Sequence, residues 1–194
     1  LKSTNISEIY IDDDNTKWFV YNRYDHKGVT RYDGTSWTTY SKDSELANDS
    51  VTTVMKAKDG TLYFGTIAGL TLYNGLSWRH YPDNNRLASR DVFAIDSDRN
   101  GILWFGTSKG LSRFDGSIWK TYISDDQLLN DLIRVAVSPD GTVWALSSFG
   151  GLVRLIGDDF TPVTITPDSS STMLESSAVE GEIEYKVEDF TLDS

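Results

Sequence analysis

The sequence predicts an all-β fold, a β-propeller of four blades, because three series of residues recur about every 41 positions. A fixed period of roughly 20–50 residues is typical of repeat proteins, and a propeller blade takes about 40–45 residues. The first series is a glycine, the second an aromatic residue three positions after it, and the third an aromatic residue earlier in each copy. They are Gly34, Gly75, Gly116 and Gly157; Trp37, Trp78, Trp119 and Phe160; and Trp18, Tyr63, Trp104 and Trp144.

Each repeat is predicted to form four antiparallel strands, and the third repeat shows the pattern most clearly. Its short apolar or aromatic runs alternate with turns that contain glycine, as in consecutive hairpins. Asn100-Gly101 and Asp115-Gly116 supply residues that adopt the positive φ values of tight turns. A meander of four strands in about 41 residues matches one propeller blade. The four runs are 91–96, 102–107, 111–114 and 117–122.

The first strand of each repeat is predicted to lie near the propeller axis because it is rich in valine and isoleucine. The recurring aromatic residues of the second and fourth strands are interpreted as packing between blades, since a single four-stranded sheet leaves both faces in water. The predicted inner strands are 6–11, 51–56, 92–97 and 133–138. The predicted blades are about 5–47, 48–88, 89–129 and 130–166 of a repeat domain that covers residues 1–166.

The composition changes after residue 166, where an acidic linker and C-terminal extension, 167–194, follow the repeats. Of the net charge of −11, residues 168–194 contribute eight acidic side chains and one lysine, so the repeats are close to charge balance. Apolar and charged residues alternate at 182–188, which is a strand pattern. The extension is thus one added strand, the first strand of a following domain, or an acidic tail without fixed structure.

The composition argues against several kinds of partner. The repeats offer no basic groove for nucleic acid, and no run approaches the roughly 18 apolar residues of a membrane span. Four blades can close a ring, form half of an eight-bladed dimer, or belong to a larger propeller, and the sequence leaves these three arrangements open. An unclosed arrangement would expose apolar blade faces and favour self-association.

The segment NGILWFGTSKGLSRFDGSIWKTY at 100–122 resembles the two-component regulator propeller repeat. The second repeat keeps DGTLYFGTIAGLTLYNGLSWRHY at 59–81, and the fourth keeps DGTVWALSSFGGLVRL at 140–155. The resemblance covers about residues 5–166. It implies a sensor-type β-propeller of bacterial periplasmic or secreted proteins, with ligands bound near the axis on one face. The first repeat departs from the pattern by a longer link at 21–28.

The candidate ligand-binding residues lie at that face, on loops or, for Arg90 and Arg134, near the starts of inner strands. It collects the links between second and third strands and the connections between blades. Aromatic and cationic side chains on loops over a rigid scaffold suit a carbohydrate or an anionic oligosaccharide, whereas an ordinary solvated loop is the alternative. The candidates are Arg23, Tyr24, His26, Lys27, Ile67, Arg90, Lys109, Arg134 and Phe149.

The sequence indicates no catalytic, metal or cofactor site. His26 and His80 occupy non-equivalent positions in different blades, and His80 is predicted at an outer edge, so the two provide no catalytic pair. Asp96 and Asp98 resemble the start of a calcium loop, but its twelfth position is Thr107 rather than glutamate. A plain turn is therefore predicted there.

Together these observations predict a non-catalytic propeller that binds or senses a carbohydrate or another extracellular ligand, in the bacterial periplasm or outside the cell. A protein-interaction or structural module is the first alternative, and a propeller lyase is the second. A pocket with converging arginines would favour ligand binding, whereas a flat face with exposed apolar residues would favour a protein partner.

Overall fold

The computed structural model describes residues 5–21, 24, 27–81, 86–123 and 129–163. These residues contain sixteen β-strands, arranged as four antiparallel sheets of four strands each. The predicted all-β fold with four four-stranded blades is therefore confirmed. The predicted extension at 167–194 lies outside the described residues. No helix among the residues described is long and apolar enough to cross a membrane.

Each blade is a meander in which strands consecutive in the chain are neighbours in the sheet. The first blade contains β1 (Ile6–Ile11), β2 (Lys17–Tyr21), β3 (Val29–Tyr32) and β4 (Trp37–Tyr40). The second contains β5 (Val51–Lys56), β6 (Leu62–Thr66), β7 (Gly69–Tyr73) and β8 (Trp78–Tyr81). The third contains β9 (Val92–Ser97), β10 (Leu103–Thr107), β11 (Gly110–Phe114) and β12 (Trp119–Tyr122). The fourth contains β13 (Leu132–Val137), β14 (Val143–Ser147), β15 (Leu152–Ile156) and β16 (Asp159–Val163).

Three of the four inner strands have the predicted bounds, and the fourth begins and ends one residue early. Asp131 adopts a φ of 47°, and its N–H donates to the Ser108 carbonyl across the blade junction at 3.2 Å. This contact ends the connection between blades, so pairing starts at Leu132, opposite Ser147. Leu132 is fully buried, which explains why the strand includes it.

Close backbone approach requires a glycine at the start of the third strand of the third blade. Gly110 has a φ of 151°, and a Cβ built on it would lie 2.2 Å from the Tyr122 carbonyl oxygen of β12. No side chain fits in that space, so the turn between β10 and β11 depends on glycine. The same constraint applies at Gly28 in the first blade, where the Cβ would lie 2.0 Å from the Tyr40 carbonyl oxygen.

The strand register gives every blade two distinct faces, because side chains opposite each other on paired strands point to the same side. We call the side that carries the second-strand residues Trp18, Tyr63, Trp104 and Trp144 the forward face. The opposite side, which carries Phe19, Phe64, Phe105 and Ala145, is the backward face.

The core consists of three clusters, in each of which a forward face packs on the backward face of the next blade. Between the first and second blades, Trp18 contacts Phe64 with ring centroids 5.3 Å apart. Between the second and third, Tyr63 and Phe105 lie 6.1 Å apart. Between the third and fourth, Trp104 joins a cluster with apolar residues of β14 and β15. The second-strand aromatic residues Trp18, Tyr63 and Trp104 therefore pack between blades.

The backward face of the first blade has no described blade packed against it. Ile9 and Ile11 are 57% and 58% exposed, and Trp37 is 50% exposed. Phe19 is only half-buried, whereas Phe105 at the same register position of the third blade is fully buried. This side of the first blade is thus an apolar surface in contact with solvent.

The forward face of the fourth blade is uncovered in the same way. Trp144 is half-buried, although its counterpart Trp104 is 6% exposed. Leu152 is also half-buried, and Ile156 is 56% exposed. Within the described residues, the four blades therefore form an open arc that has one free face at each end.

Candidate functional site

The links between second and third strands lie on one face with the connections that enter the next blade. Gly69, the first residue of β7 directly after the link of the second blade, donates its N–H to the Arg90 carbonyl at 2.8 Å. At the next junction the Asp131 N–H donates to the Ser108 carbonyl. These hydrogen bonds bring the predicted links and connections together, and we call this side of the molecule the loop face.

A cavity of about 250 Å³ opens where the loop face meets the axis. It brings together two of the predicted residues, Tyr24 from the long link of the first blade and Arg134 from the inner strand of the fourth. Phe93 of β9 lies in the same wall, so the lining combines two aromatic rings with a guanidinium group. The full lining is Ser7, Tyr24, Val51, Thr52, Phe93, Ile133 and Arg134.

A second cavity of about 390 Å³ shares part of this wall and continues along the inner strands. Arg134 and Phe93 line both cavities, and the second one adds the carboxyl group of Glu8. All four inner strands contribute to its wall, through Ser7 and Glu8, Thr52 and Thr53, Phe93, Ala94 and Ile95, and Arg134 and Val135. We call the two cavities together the axial cavity.

Glu8 lies at the junction of the first two blades, where its carboxylate accepts a hydrogen bond from the Val54 N–H at 3.2 Å. Burial raises the pKa of Glu8 to about 6, while the Val54 N–H, the Thr53 hydroxyl and the charge of Arg134 act in the opposite direction. Desolvation therefore dominates at this position. Near pH 6 the group changes from a neutral donor to a charged acceptor, so the polarity of the cavity wall depends on pH.

Arg134 lies on the free forward face of the fourth blade and is exposed. Its Nη1 donates to the Ile133 carbonyl at 3.2 Å, which leaves further guanidinium N–H groups that can reach a ligand. A guanidinium group binds carboxylate, sulfate or phosphate oxygens through two parallel N–H bonds. With Tyr24 72% exposed on the same rim, the cavity offers both a charged and an aromatic contact.

Two further predicted residues, Lys109 and Phe149, meet at a separate depression of about 410 Å³. They come from the equivalent links of the third and fourth blades, and Phe149 is 69% exposed. The rest of the lining is Ser108, Ile123, Asn130 and Asp131. The loop face thus has two recesses, each with one cation and at least one aromatic ring.

The other predicted residues lie elsewhere or outside the described part of the chain. Lys27 and Arg90 are exposed and Ile67 is half-buried, and none of them lines either recess. Arg23 and His26, from the long link, lie outside the described residues. The structure therefore groups the predicted residues into two pairs rather than one continuous site.

The aspartates that resemble a calcium loop are occupied by hydrogen bonds to the backbone. Asp98 accepts from the Asn100 and Ile102 N–H groups, both at 2.8 Å, as expected of a plain turn. Asp96 accepts from the Val137 N–H at 2.7 Å and links the third blade to the fourth. No group of three or more histidine, aspartate or glutamate side chains in the described residues could hold a metal ion.

Sequence reasoning missed Glu8 and Phe93 because it placed the site on loops rather than on inner strands. Glu8 shares its register position with Thr53, Ala94 and Arg134 in the other three blades. The available signal was the occurrence of an acidic and a basic residue, Glu8 and Arg134, at equivalent positions of two inner strands. These strands were predicted to surround one axis. A comparison of the repeats position by position would have found Glu8, whereas nothing in the repeat pattern points to Phe93.

Four sheets that pack face to face around a common axis define the class of protein as a β-propeller. Residues 86–109 match the family described as "Two component regulator propeller". The repeat recognised from its sequence pattern is therefore confirmed in the third blade. No curated protein sequence matches the chain at a significant level.

Solved structures share the fold at low sequence identity. The extracellular domain of a proposed hybrid two-component system, BT3049 of B. thetaiotaomicron, is 20% identical with a TM-score of 0.66, over 84% of this chain and 23% of that one. The extracellular domain of BT4673, a proposed one-component system of the same organism, is 22% identical with a TM-score of 0.67, over 86% and 22%. An inactive virginiamycin B lyase from Staphylococcus aureus is 15% identical with a TM-score of 0.67, over 88% and 59%.

The chain spans less than two thirds of the length of each of these proteins. In the two B. thetaiotaomicron proteins it corresponds to about a quarter of the matched chain. At these identities the comparison shows a common fold and does not assign an activity.

Proposed function

We propose that this chain is a non-catalytic, extracellular or periplasmic propeller that binds an anionic oligosaccharide at the axial cavity. The observation that carries the proposal is the meeting of Tyr24, Phe93 and Arg134 in one wall, although they come from three different blades. Aromatic rings stack on the apolar faces of sugars, and the guanidinium group pairs with a carboxylate or sulfate. The domains BT3049 and BT4673, which are described as extracellular parts of regulatory systems, support the location and the sensing role.

The dimensions of the cavity suit one or two sugar residues rather than a protein surface. Ligand pockets are concave, mostly apolar and equipped with a few placed polar groups, in a range of about 300–1,000 Å³. One part of the axial cavity, about 250 Å³, lies just below that range, and the other, about 390 Å³, lies at its lower end. Above pH 6 the Glu8 carboxylate would accept hydrogen bonds from sugar hydroxyl groups. Its negative charge would repel an anionic group of the ligand at that end of the cavity.

Glycan-array binding and calorimetry on the 194-residue chain test this proposal. We expect the double variant Tyr24→Ala, Arg134→Ala to weaken binding of an anionic oligosaccharide by on the order of tenfold or more, since a hydrogen bond to a charged group contributes about 1.5–3 kcal/mol. The variant Lys109→Ala, Phe149→Ala removes the same kinds of side chain from the other recess and is the matched control. If the two double variants bind equally well, or if no glycan binds the unmodified chain, the proposal is wrong.

The proposal includes no catalysis, because the described histidine lies away from the axial cavity. His80 is in β8, the outermost strand of its sheet, and its Nδ1 lies 3.3 Å from the Thr71 hydroxyl. Incubation with quinupristin, which is present in the lyase crystal, checks this point. We expect the antibiotic to stay intact by mass spectrometry, and its cleavage would instead establish a lyase.

A further inference from the structure

We propose that two copies of this chain join head to tail, with the forward face of each fourth blade packed on the backward face of the other copy's first blade. The two copies would then close one ring of eight blades. The inference rests on the packing of the blades. It also bears on the proposed ligand site, because Arg134 lies on the forward face of the fourth blade and would stand at the new junction.

The free forward face repeats the surface that packs at internal junctions. Trp144 occupies the register position of Trp104, and Leu152 that of Leu111. Trp104 is 6% exposed and Leu111 is fully buried where the fourth blade covers them. The free face therefore has the residues that bind a following blade, but no described residue covers them.

The free backward face is the counterpart of that surface. Phe19 occupies the register position of Phe105, and Trp37 that of Trp119. In the third blade, Phe105 and Trp119 stack on each other with centroids 5.2 Å apart and pack on the second blade. In the first blade, Phe19 and Trp37 keep the same pairing at 5.5 Å. The aromatic contact is thus already formed on the free face.

One position of the backward face departs from the pattern. Lys17 stands where the other blades have Leu62, Leu103 and Val143. Its ammonium group lies 6.0 Å from the centre of the Tyr32 ring. A lysine in this position can cover apolar surface with its stem and keep its charge in water at the rim of a junction.

Head-to-tail joining is favoured over joining two identical faces, because all three internal junctions place a forward face on a backward face. Each chain has one free face of each kind among its described residues, and a second copy has the counterpart of both. The occupant proposed for each face is a second copy, since no other surface among the described residues has this complementarity.

Closure by two copies requires an arc slightly flatter than that of the matched lyase. The four blades match 59% of the length of the lyase, so a complete ring of the lyase's curvature has about seven blades. Two copies supply eight, which is one more than that curvature gives and within the range of about four to eight blades in known propellers. A head-to-tail contact that closes after two copies gives a dimer with two equivalent junctions, whereas one that fails to close gives longer assemblies.

Light scattering coupled to size-exclusion chromatography tests the proposal on the 194-residue chain. One copy has a mass of 21.8 kDa, so the dimer would have about 44 kDa. We expect the dimer at micromolar concentration and above. If the chain stays at the monomer mass at the highest concentration reached, the proposal is overturned. This outcome counts against it even if a longer polypeptide has further blades that cover the two faces.

Charge substitutions on the two free faces distinguish the head-to-tail arrangement from other dimers. Ile9→Glu with Ile11→Glu alters the backward face, and Ile156→Glu alters the forward face, all at exposed positions. Each variant alone is expected to be monomeric, because both junctions of its dimer would contain an altered face. Mixing the two variants should restore a 1:1 complex, since one junction then has two unaltered faces.

The matched control is Leu76→Glu with Ile118→Glu, which alters two apolar residues that are 94% and 65% exposed in turns of the inner blades. It should dimerise like the unmodified chain, and circular dichroism should show that all variants are folded. Dimers that survive both face variants, or that only one of them disrupts, would overturn the head-to-tail arrangement. Masses that rise beyond two copies would overturn closure of the ring.

Discussion

At the scale of single residues, the axial cavity is shaped by two side chains at equivalent register positions, Glu8 and Arg134. Glu8 is held by the Val54 N–H in the junction between two blades, whereas Arg134 is exposed on a free face. The same register position thus holds a half-buried carboxyl group where a blade follows and an exposed cation where no described blade follows. The neighbouring blade, rather than the strand itself, determines how far the side chain is exposed.

Glu8→Gln is expected to stabilise the protein above pH 6 and to leave its stability near pH 4 unchanged. Folding raises the pKa of Glu8 from 4.5 to about 6, so its contribution to stability is fully present below pH 4.5 and is lost as the pH rises through 6. A shift of this size corresponds to about 2 kcal/mol at pH 7.5. Glutamine keeps an oxygen that accepts from the Val54 N–H but does not ionise.

Urea denaturation at pH 4.5 and pH 7.5 measures this effect as the difference between variant and unmodified protein. Glu45→Gln, in the connection between the first and second blades, is the control for the loss of one carboxylate. An equal change in the free energy of unfolding at both pH values would show that ionisation of Glu8 does not contribute.

At the scale of elements, the second strand of each blade determines how closely the next blade packs. Gly106 in β10 allows the inner strand of the fourth blade to approach, because a Cβ there would lie 2.7 Å from the Leu132 carbonyl oxygen. Two positions before it, Trp104 fills the junction. Alternation of a large and a minimal side chain on one face gives both a filled core and a short distance between sheets.

Trp104→Ala is expected to lower the free energy of unfolding by about 3–5 kcal/mol, the usual cost of removing a buried aromatic side chain. Trp144→Ala, at the equivalent position of the free face, should cost less than half as much because its side chain is only half-buried. Chemical denaturation at concentrations where the chain is monomeric compares the two directly. Equal losses would mean that the forward face of the fourth blade is covered within the monomer.

At the scale of the whole molecule, the described blades form an arc whose first and fourth blades each have one face that no described residue covers. The interior junctions are apolar, and the two outer faces present the same surfaces to solvent. Exposed apolar faces of this kind associate unless the surface is polar or charged. The net charge of −11 per copy opposes association between two chains, so charge and apolar surface act in opposite directions.

Raising the NaCl concentration from about 0.05 to about 0.5 M is therefore expected to strengthen dimerisation several-fold, because salt screens the repulsion between two acidic chains. Sedimentation equilibrium at the two salt concentrations measures the change in dissociation constant. A dimer that weakens as salt is added would instead depend on ion pairs, and apolar packing would then not be its main source.

The sequence predicted the fold far better than the site. Residues such as Trp104 and Gly116 belong to a local pattern that recurs several times along the chain. Such a pattern rarely arises by chance, so it predicts the bounds of the strands closely. The site depends on which loops meet near one axis, and only Tyr24 with Arg134, and Lys109 with Phe149, were brought together. Glu8 was missed because its pKa depends on burial between two blades, which no local pattern encodes.

The sequence by itself determined the number of strands, their grouping into blades and the residues that pack between them, because hydrophobic period, turn chemistry and aromatic spacing are local properties. Only the tertiary structure decided that the described blades form an open arc, that Glu8 and Arg134 line one cavity, and that no described residue covers two apolar faces. Each blade has the same forward and backward surfaces, so identical local information is compatible with a closed ring or an open one. The curvature that separates them accumulates over all the junctions and exists only in the assembled molecule.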